Sequence, residues 1–283
     1  MRKTCFAVGM VLAIVLLIAC TLDRTTPDQA TNDNAANAAL DLPDVAANEV
    51  QISRNLQTGL INPNLYGKLE GEEAVGLFRE AYGTANKFEG ELDVSSPNYD
   101  VVYQSDGKTQ AFHLWLPNLG VGEGMLMEVA DTRTAYILTA EATKSLKEII
   151  GDIRYDSKQA AANGDIVHFL NKIENFDAWE RFIRSVDEGT PDSVHYVAYT
   201  IEGDPLFTDL VFDGKKIQYT HDTTHDKFGL PETVFATCEK VTDEPLSAEF
   251  GGPGTLYRLD GCTDAAGAAD KQFWFPVSED DRK

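Results

Sequence analysis

Twice along this chain an Asp-Gly pair separates two short apolar runs, and each time an amphipathic segment comes first. Asp106-Gly107 lies between residues 99–103 and 111–116, and Asp213-Gly214 lies between 206–212 and 217–221. Asp-Gly suits the tight turn with positive φ whose twist matches two antiparallel strands, whereas parallel strands need a crossover of about a dozen residues. The chain is therefore committed to helices followed by antiparallel hairpins.

In the first region, residues 72–85 place Ala74, Phe78, Ala81, Tyr82 and Ala85 on one helical face, with Gly83 near the end. The 99–116 hairpin follows Pro97, residues 125–129 and 135–138 read as further strands, and Thr139 is placed to cap a helix through Ile150. The second region opens with a short helix from Ser157 that stops at Asn163-Gly164, then an extended stretch over 165–169. Asn175 is expected to cap a stronger helix lined by Phe176, Trp179, Phe182, Ile183 and Val186. Strands over 194–201, 206–212 and 217–221 are expected to form an antiparallel meander.

The expected fold class is α+β, as two small domains that each pack an amphipathic helix on an antiparallel meander sheet. About 235 residues follow the polar segment described below, more than one small core usually needs. The domains are expected over 49–154 and 155–264, joined near Tyr155, with 265–283 as a C-terminal tail. Within that tail Phe273-Trp274-Phe275 and Pro276 are expected to complete a sheet or cover a core edge rather than form a partner-binding peptide. Lys68-Leu69-Glu70 with Ala74 and Phe78 repeats as Lys172-Ile173-Glu174 with Ala178 and Phe182 at one constant offset, which hints at an old duplication.

The first residues have a different character. Arg2 and Lys3 precede an apolar run from Phe6 to Ala19, the layout of a secretory signal over 1–19. With only about 14 apolar residues where a span needs about 20, a transmembrane helix is the weaker reading. Leu17-Ile18-Ala19-Cys20 resembles the lipobox of bacterial lipoproteins, which implies a diacylglyceryl group on Cys20, a new N-terminus there, and a membrane partner through the lipid. Residues 20–48 carry Thr, Asn, Asp, Ala and Pro with no aromatic, too little apolar surface to offset chain ordering, and are expected to form a disordered tether.

The chain holds 24 basic and 46 acidic residues, a net charge of −22, which loss of Arg2 and Lys3 deepens. Nucleic acid and anionic lipid both require a basic footprint, so neither is an expected partner; cations, basic peptides or plain repulsive solubility remain compatible. Of four cysteines, Cys5 leaves with the signal and Cys20 takes the lipid, so Cys238 and Cys262 are left as one disulfide in an oxidising compartment.

Common catalytic signatures are absent: there is no Gly-x-Ser-x-Gly elbow, His-Glu-x-x-His pair, Cys-x-x-Cys, phosphate-binding loop or calcium loop. Ser105-Asp106-Gly107-Lys108 has Ser-x-x-Lys spacing, but the hairpin turn accounts for it. Four metal-competent side chains crowd into six residues at His221, Asp222, His225 and Asp226; a solvated polar loop is the competing explanation. Glu202 and Asp204 flank Gly203 before Pro205, an arrangement that suits either a cation or acid-base pair, or simply a turn. His113 alternates onto the face of Ala111 and Trp115 and is expected to be packed or on the surface rather than catalytic.

Several stretches carry a family likeness. Asn163-Gly164-Asp165-Ile166-Val167, Lys172-Ile173-Glu174-Asn175, Thr200-Ile201-Glu202-Gly203-Asp204-Pro205, Phe212-Asp213-Gly214 and Asp226-Lys227-Phe228-Gly229 resemble the bacillus domain-of-unknown-function family numbered 4362, over about residues 156–262. Cys238 and Cys262 fall where that family's paired cysteines are placed. Pro97-Asn98-Tyr99-Asp100, His113-Leu114-Trp115-Leu116, Asp131-Thr132 and Tyr136-Ile137-Leu138 resemble the YhfM-like lipoprotein domain. Both resemblances imply a Gram-positive lipoprotein and neither implies a reaction or a cofactor. The expectation is a non-enzymatic, lipid-anchored extracytoplasmic module for an unidentified protein or small molecule. A metal-binding lipoprotein using His221 to Asp226 is the alternative, and an envelope hydrolase with Glu202 and Asp204 as acid and base is the third.

Overall fold

The computed structural model describes residues 45–46, 48–90, 92–105, 107–117, 122–170, 172–247, 253–264 and 273–281. Residues 1–44, with the expected signal and Cys20, lie outside the described residues, as does Asp106 of the first turn.

Alternation along β1 (Glu49–Arg54) turns Val50 and Ile52 inward, both fully buried. This strand and β2 (Leu65–Glu70) are hairpin partners that precede α1 (Glu72–Gly83), whose buried face is Val75, Phe78 and Ala81. After β3 (Asn86–Glu89), the chain enters β4 (Tyr99–Ser105), β5 (Lys108–Trp115), β6 (Met125–Glu128) and β7 (Thr134–Ile137). Together they form an antiparallel sheet ordered β2-β1-β4-β5-β6-β7-β3. The expected hairpin is present, with Gly107 at φ 74. Thr139 caps α2 (Ala140–Gly151) by accepting from the Ala142 N–H at 3.1 Å.

The second sheet is built from β8 (Ile166–Phe169), β9 (Lys172–Glu174), β10 (Asp192–Tyr199), β11 (Pro205–Phe212), β12 (Ile217–Asp222) and β13 (Thr233–Cys238), with the two-residue β16 (Thr263–Asp264) on its edge. Here α3 (Ser157–Ala162) precedes β8, and α4 (Phe176–Glu188) links β9 to β10. Strands β10 to β12 are the expected meander, turning at Asp213, whose carboxylate accepts from the Lys215 and Lys216 N–H groups; β13 extends it by one further antiparallel strand. The pure meander needs one correction: β8 pairs with β10 in parallel, because α4 returns the chain across the sheet before β10 starts.

Asn175 is a second correction. It lies at φ 56 and makes no side-chain cap; its Nδ2 donates to the carbonyls of Ala161 and Asp165 at 2.9 and 2.8 Å. The side chain is taken up by the neighbouring α3–β8 junction, so the start of α4 is set by a left-handed backbone.

A third sheet of β14 (Lys240–Pro245), β15 (Gly254–Asp260) and β17 (Trp274–Ser278) closes over α4. The segment expected as a tail thus supplies a strand: Phe273, Phe275 and Val277 are buried against Trp179, while Trp274 between them faces outward. Cys238 and Cys262 form the disulfide that holds β13 to this part of the chain.

The two cores do not divide at Tyr155. The first, under α1 and α2, also takes in Tyr155, Ala160, Val167, Val197 and Phe207. The second lies between α4, the other face of the second sheet and the third sheet. Phe78 and Phe182 centre the two cores, each ring contributing about 2–3 kcal/mol by burial. Val45, inside the expected tether, is buried with Val102, Ala111 and Val129. The repeated Lys-x-Glu segments are both edge strands that precede a helix, but β1 runs antiparallel to β4 where β8 runs parallel to β10.

Candidate functional site: the seam between the two sheets

Period-two alternation and strand register set the seam. On one face of the second sheet Val197, Phe207 and Asp222 form a cross-strand row, and His195, Asp209 and Thr220 form the next. Arg54, the last residue of β1, crosses from the first sheet to this surface. Its guanidinium bonds both Asp209 oxygens at 3.2 and 2.8 Å, lies 3.9 Å from the Phe207 ring centroid, and comes within 4.0 Å of Asp222. The His195 Nδ1–H donates to Asp209 from the other side at 2.9 Å.

Burial and charge oppose each other here. Burial works against the Arg54 cation, but Asp209 and Asp222 more than offset it and raise its pKa. Burial also favours neutral Asp209, yet Arg54 and His195 together hold that carboxyl well below the usual range. At Asp165 burial pushes the carboxyl up, and the Tyr155 hydroxyl donating to it, with His195 and Arg54 nearby, only partly opposes this.

Above this pair the chain leaves the sheet in two loops that hold the residues singled out by sequence. In the 200–204 turn, Gly203 adopts φ 91 and its N–H donates to the Thr200 carbonyl at 3.0 Å. The Asp204 carboxylate accepts from the Lys227 N–H at 3.0 Å, tying this turn to the next loop. In that loop Asp226 accepts from the Phe228 and Gly229 N–H groups, both at 2.9 Å. Glu202, Asp204 and His225 therefore line one cleft of about 310 Å³, with Tyr66, Tyr155 and Phe228. A second hollow of about 390 Å³ adjoins it beyond Asp152 and Lys227.

The His221 to Asp226 group does not converge. His221 lies on the face towards the second core, paired with Thr208 at 3.0 Å. Asp222 faces Arg54, Asp226 caps its own turn, and His225, its side chain 9% exposed, turns inward beneath the loop with Nδ1 4.0 Å from Asp222. His225 Nε2 pairs with the Tyr99 hydroxyl at 2.9 Å, and its ring packs on Tyr66 and Phe207. Burial lowers its pKa to about 4, Arg54 adding to this and Asp222 opposing it. Among the described residues no three His, Cys, Asp or Glu side chains are grouped to hold a metal ion.

Sequence reasoning missed Arg54, Tyr66, Tyr99, Tyr155, Asp165, His195 and Asp209. A lone Arg ending an alternating apolar strand is a faint signal, and nothing local to it points to Asp209. His113 is where alternation put it, fully buried with Asp100. Its Nε2 accepts from the Gly59 N–H at 2.9 Å, so Nδ1 carries the proton donated to Asp100 at 2.8 Å. Nε2 thereby holds the 55–62 segment, and Asp100 holds it too, accepting from the Asn55 Nδ2 and the Asn62 N–H groups, both at 2.8 Å.

Residues 62–156 match the family model described as YhfM protein, and residues 163–247 match the model described as domain of unknown function, DUF4362. Each match covers about a third of the chain, so the chain is similar to one family over its first folded part and to the other over its second. The cleft lies where they meet: Tyr66 and Tyr155 come from the YhfM region, and Glu202, Asp204 and His225 from the DUF4362 region. Arg54 precedes the YhfM match, and Cys262 with β15 and β17 follows the DUF4362 match. No curated protein and no solved structure matches the chain. No helix among the described residues is long and apolar enough to cross a membrane.

Proposed function

We propose that the protein is a lipid-anchored, extracytoplasmic, non-enzymatic binding module whose ligand site is the cleft between its YhfM and DUF4362 regions. The observation that carries the site is convergence: two loops distant in sequence are tied by the Lys227 to Asp204 bond around one aromatic-walled cleft of about 310 Å³. Clefts where structural units meet are common ligand sites, and this volume is at the lower end of their usual range of about 300–1,000 Å³. The non-enzymatic reading rests on how the ionisable groups are used. His225 is buried against Tyr99, and Asp204 holds a backbone N–H of the facing loop. Neither is presented as a base beside a nucleophile. The anchoring rests on Arg2, Lys3, the apolar run and Cys20.

A photoreactive side chain at Glu202 tests the site in intact cells, with the same group at Lys215 as control. Lys215 sits on the hairpin at the other end of the second sheet. Adducts formed from position 202 and not from 215 are expected; equal labelling from both positions would remove the site from the cleft.

A further inference from the structure

The connections that leave the second sheet at the end bearing Tyr199 and Asp222 all display large apolar side chains. Leu170 follows β8, Ile201 is in the β10–β11 turn, and Phe228 and Leu230 are in the β12–β13 loop. Their exposures are 70, 88, 77 and 88%. Strand register brings these connections to one edge: His168 lies beside Ala198, Tyr199 opposite Pro205, and Asp222 opposite Thr233. Contacts between neighbouring loops tie them together. Phe169 meets Tyr199 edge-on at 5.8 Å, and Phe228 lines the cleft with Glu202.

Single exposed apolar residues are ordinary, whereas a contiguous group marks a contact surface. The loops are also held in shape without a ligand. The Thr223 hydroxyl donates to the Leu230 carbonyl at 2.9 Å, and the Thr223 N–H donates to the Glu232 carbonyl at 2.9 Å. The ordering cost on binding is therefore already met within the fold.

Charge decides which occupant fits. The same loops carry Glu202, Asp204, Asp226 and Glu232 against the single cation Lys227, which already pairs with Asp152 across the cleft at 3.5 Å; Arg154 also lines the cleft, and the acidic side chains still outnumber the basic ones. An anionic bilayer is repelled by such a rim, and a second copy of this chain would bring the same rim and the same net charge of −22. The complementary surface is apolar with cations at its margin. We infer that this loop end docks a cationic amphipathic peptide segment of a partner protein, its apolar side chains on Ile201 and Phe228 and a Lys or Arg side chain entering the cleft beside Glu202. This names the ligand class of the cleft and rests on the cleft being the binding site.

The full chain carrying Cys20→Ser, purified without detergent, is titrated with two labelled helical probes, a Lys/Leu amphipathic peptide and its Glu/Leu counterpart. The cationic probe is expected to bind at least about tenfold more tightly, and this preference should shrink as salt rises. Ile201→Ser combined with Phe228→Ser is expected to weaken it about tenfold or more, and Glu202→Gln about threefold. Both apolar positions are solvent-exposed, so these variants keep the fold. Equal affinity for the two probes, no binding of the cationic one, or binding indifferent to the double variant would overturn the inference. So would co-flotation with phosphatidylcholine or phosphatidylglycerol vesicles that the double variant abolishes, since the occupant would then be lipid. If the probe fails while position 202 still gives specific adducts in cells, only the ligand class falls; if the adducts vanish as well, the cleft falls with it.

Discussion

Arg54 and Asp209 stand 155 residues apart in sequence and meet as a two-pronged ion pair that joins the first sheet to the second. The pair is largely buried, with side-chain exposures of 15 and 12%, and Phe207 carries the guanidinium on its ring face. A buried pair of this kind adds little net stability against an apolar replacement, but removing one partner strands the other charge. Arg54→Met is therefore expected to destabilise the fold by about 3–5 kcal/mol, and adding Asp209→Leu should recover a large part of that. Denaturant titration of both single variants and the double variant measures the coupling; additive losses would mean that the two charges act independently.

His225 makes stability depend on acidity. Its folded pKa of about 4 lies below the ordinary histidine value of 6.5, so between these values the unfolded chain binds the extra proton. Stability is fully present above about pH 6.5 and is lost as the pH falls towards 4, by up to about 3 kcal/mol from this residue. Burial lowers His168 and His221 in the same sense, whereas the raised Asp165 works in the opposite one. His225→Phe leaves those three in place and isolates the effect. Unfolding midpoints at pH 7.0 and 4.5 should differ less in the variant than in the parent; an unchanged difference would assign the acid sensitivity elsewhere.

The disulfide closes a loop with a sequence separation of 24, and Cys238 is fully buried in the second core. Opening it is expected to remove about 3 kcal/mol through the freedom regained by the unfolded chain, less any strain relieved. Replacing both cysteines by serine tests this by calorimetry, with retained circular dichroism showing that the three sheets still form. Titration of the unfolded, unreduced chain should show neither Cys238 nor Cys262 as a free thiol.

Asn175 separates a backbone effect from a side-chain effect. Its left-handed backbone suits glycine, and its amide makes two bonds to part-buried backbone carbonyls. Asn175→Ala loses both and is expected to cost about 2–4 kcal/mol, while Asn175→Gly keeps the backbone and should cost about 1 kcal/mol less. Equal losses would mean that the amide bonds carry the whole effect.

Cys20→Ser addresses the anchor. Fractionation should move the protein from the membrane to the soluble fraction with its fold intact. Retention of the variant in the membrane fraction would sink the lipid reading and leave the cleft to be judged separately.

Much of the fold was legible locally. The α1 and α4 faces, the Asp213-Gly214 turn, the Thr139 cap and the strand that carries His113 all follow from spacings of two to four residues, over which the helical and strand periods act. Asn175 misled because a capping residue type is recognised by its place in the chain, while its bonding depends on carbonyls brought close by another helix. The Phe273-Trp274-Phe275 segment completes a sheet as its composition suggests, but the choice of β15 as partner, which buries Phe273 and Phe275 and leaves Trp274 exposed, is set by packing far from it in sequence.

The cleft divides in the same way. Sequence alone marked Glu202, Asp204, His225 and Asp226 as unusual, and the excess of acid made a basic partner more fitting than an anionic one. It determined the loops and their chemistry, because turn formation and charge are properties of neighbouring residues. Only the tertiary structure decided that Asp204 meets Lys227, that His225 turns inward while Asp226 caps its own turn, and that Arg54 locks onto Asp209 below them. Those contacts arise from packing one sheet against another, where a side chain's partner is set by register and burial and is not encoded within reach of its neighbours.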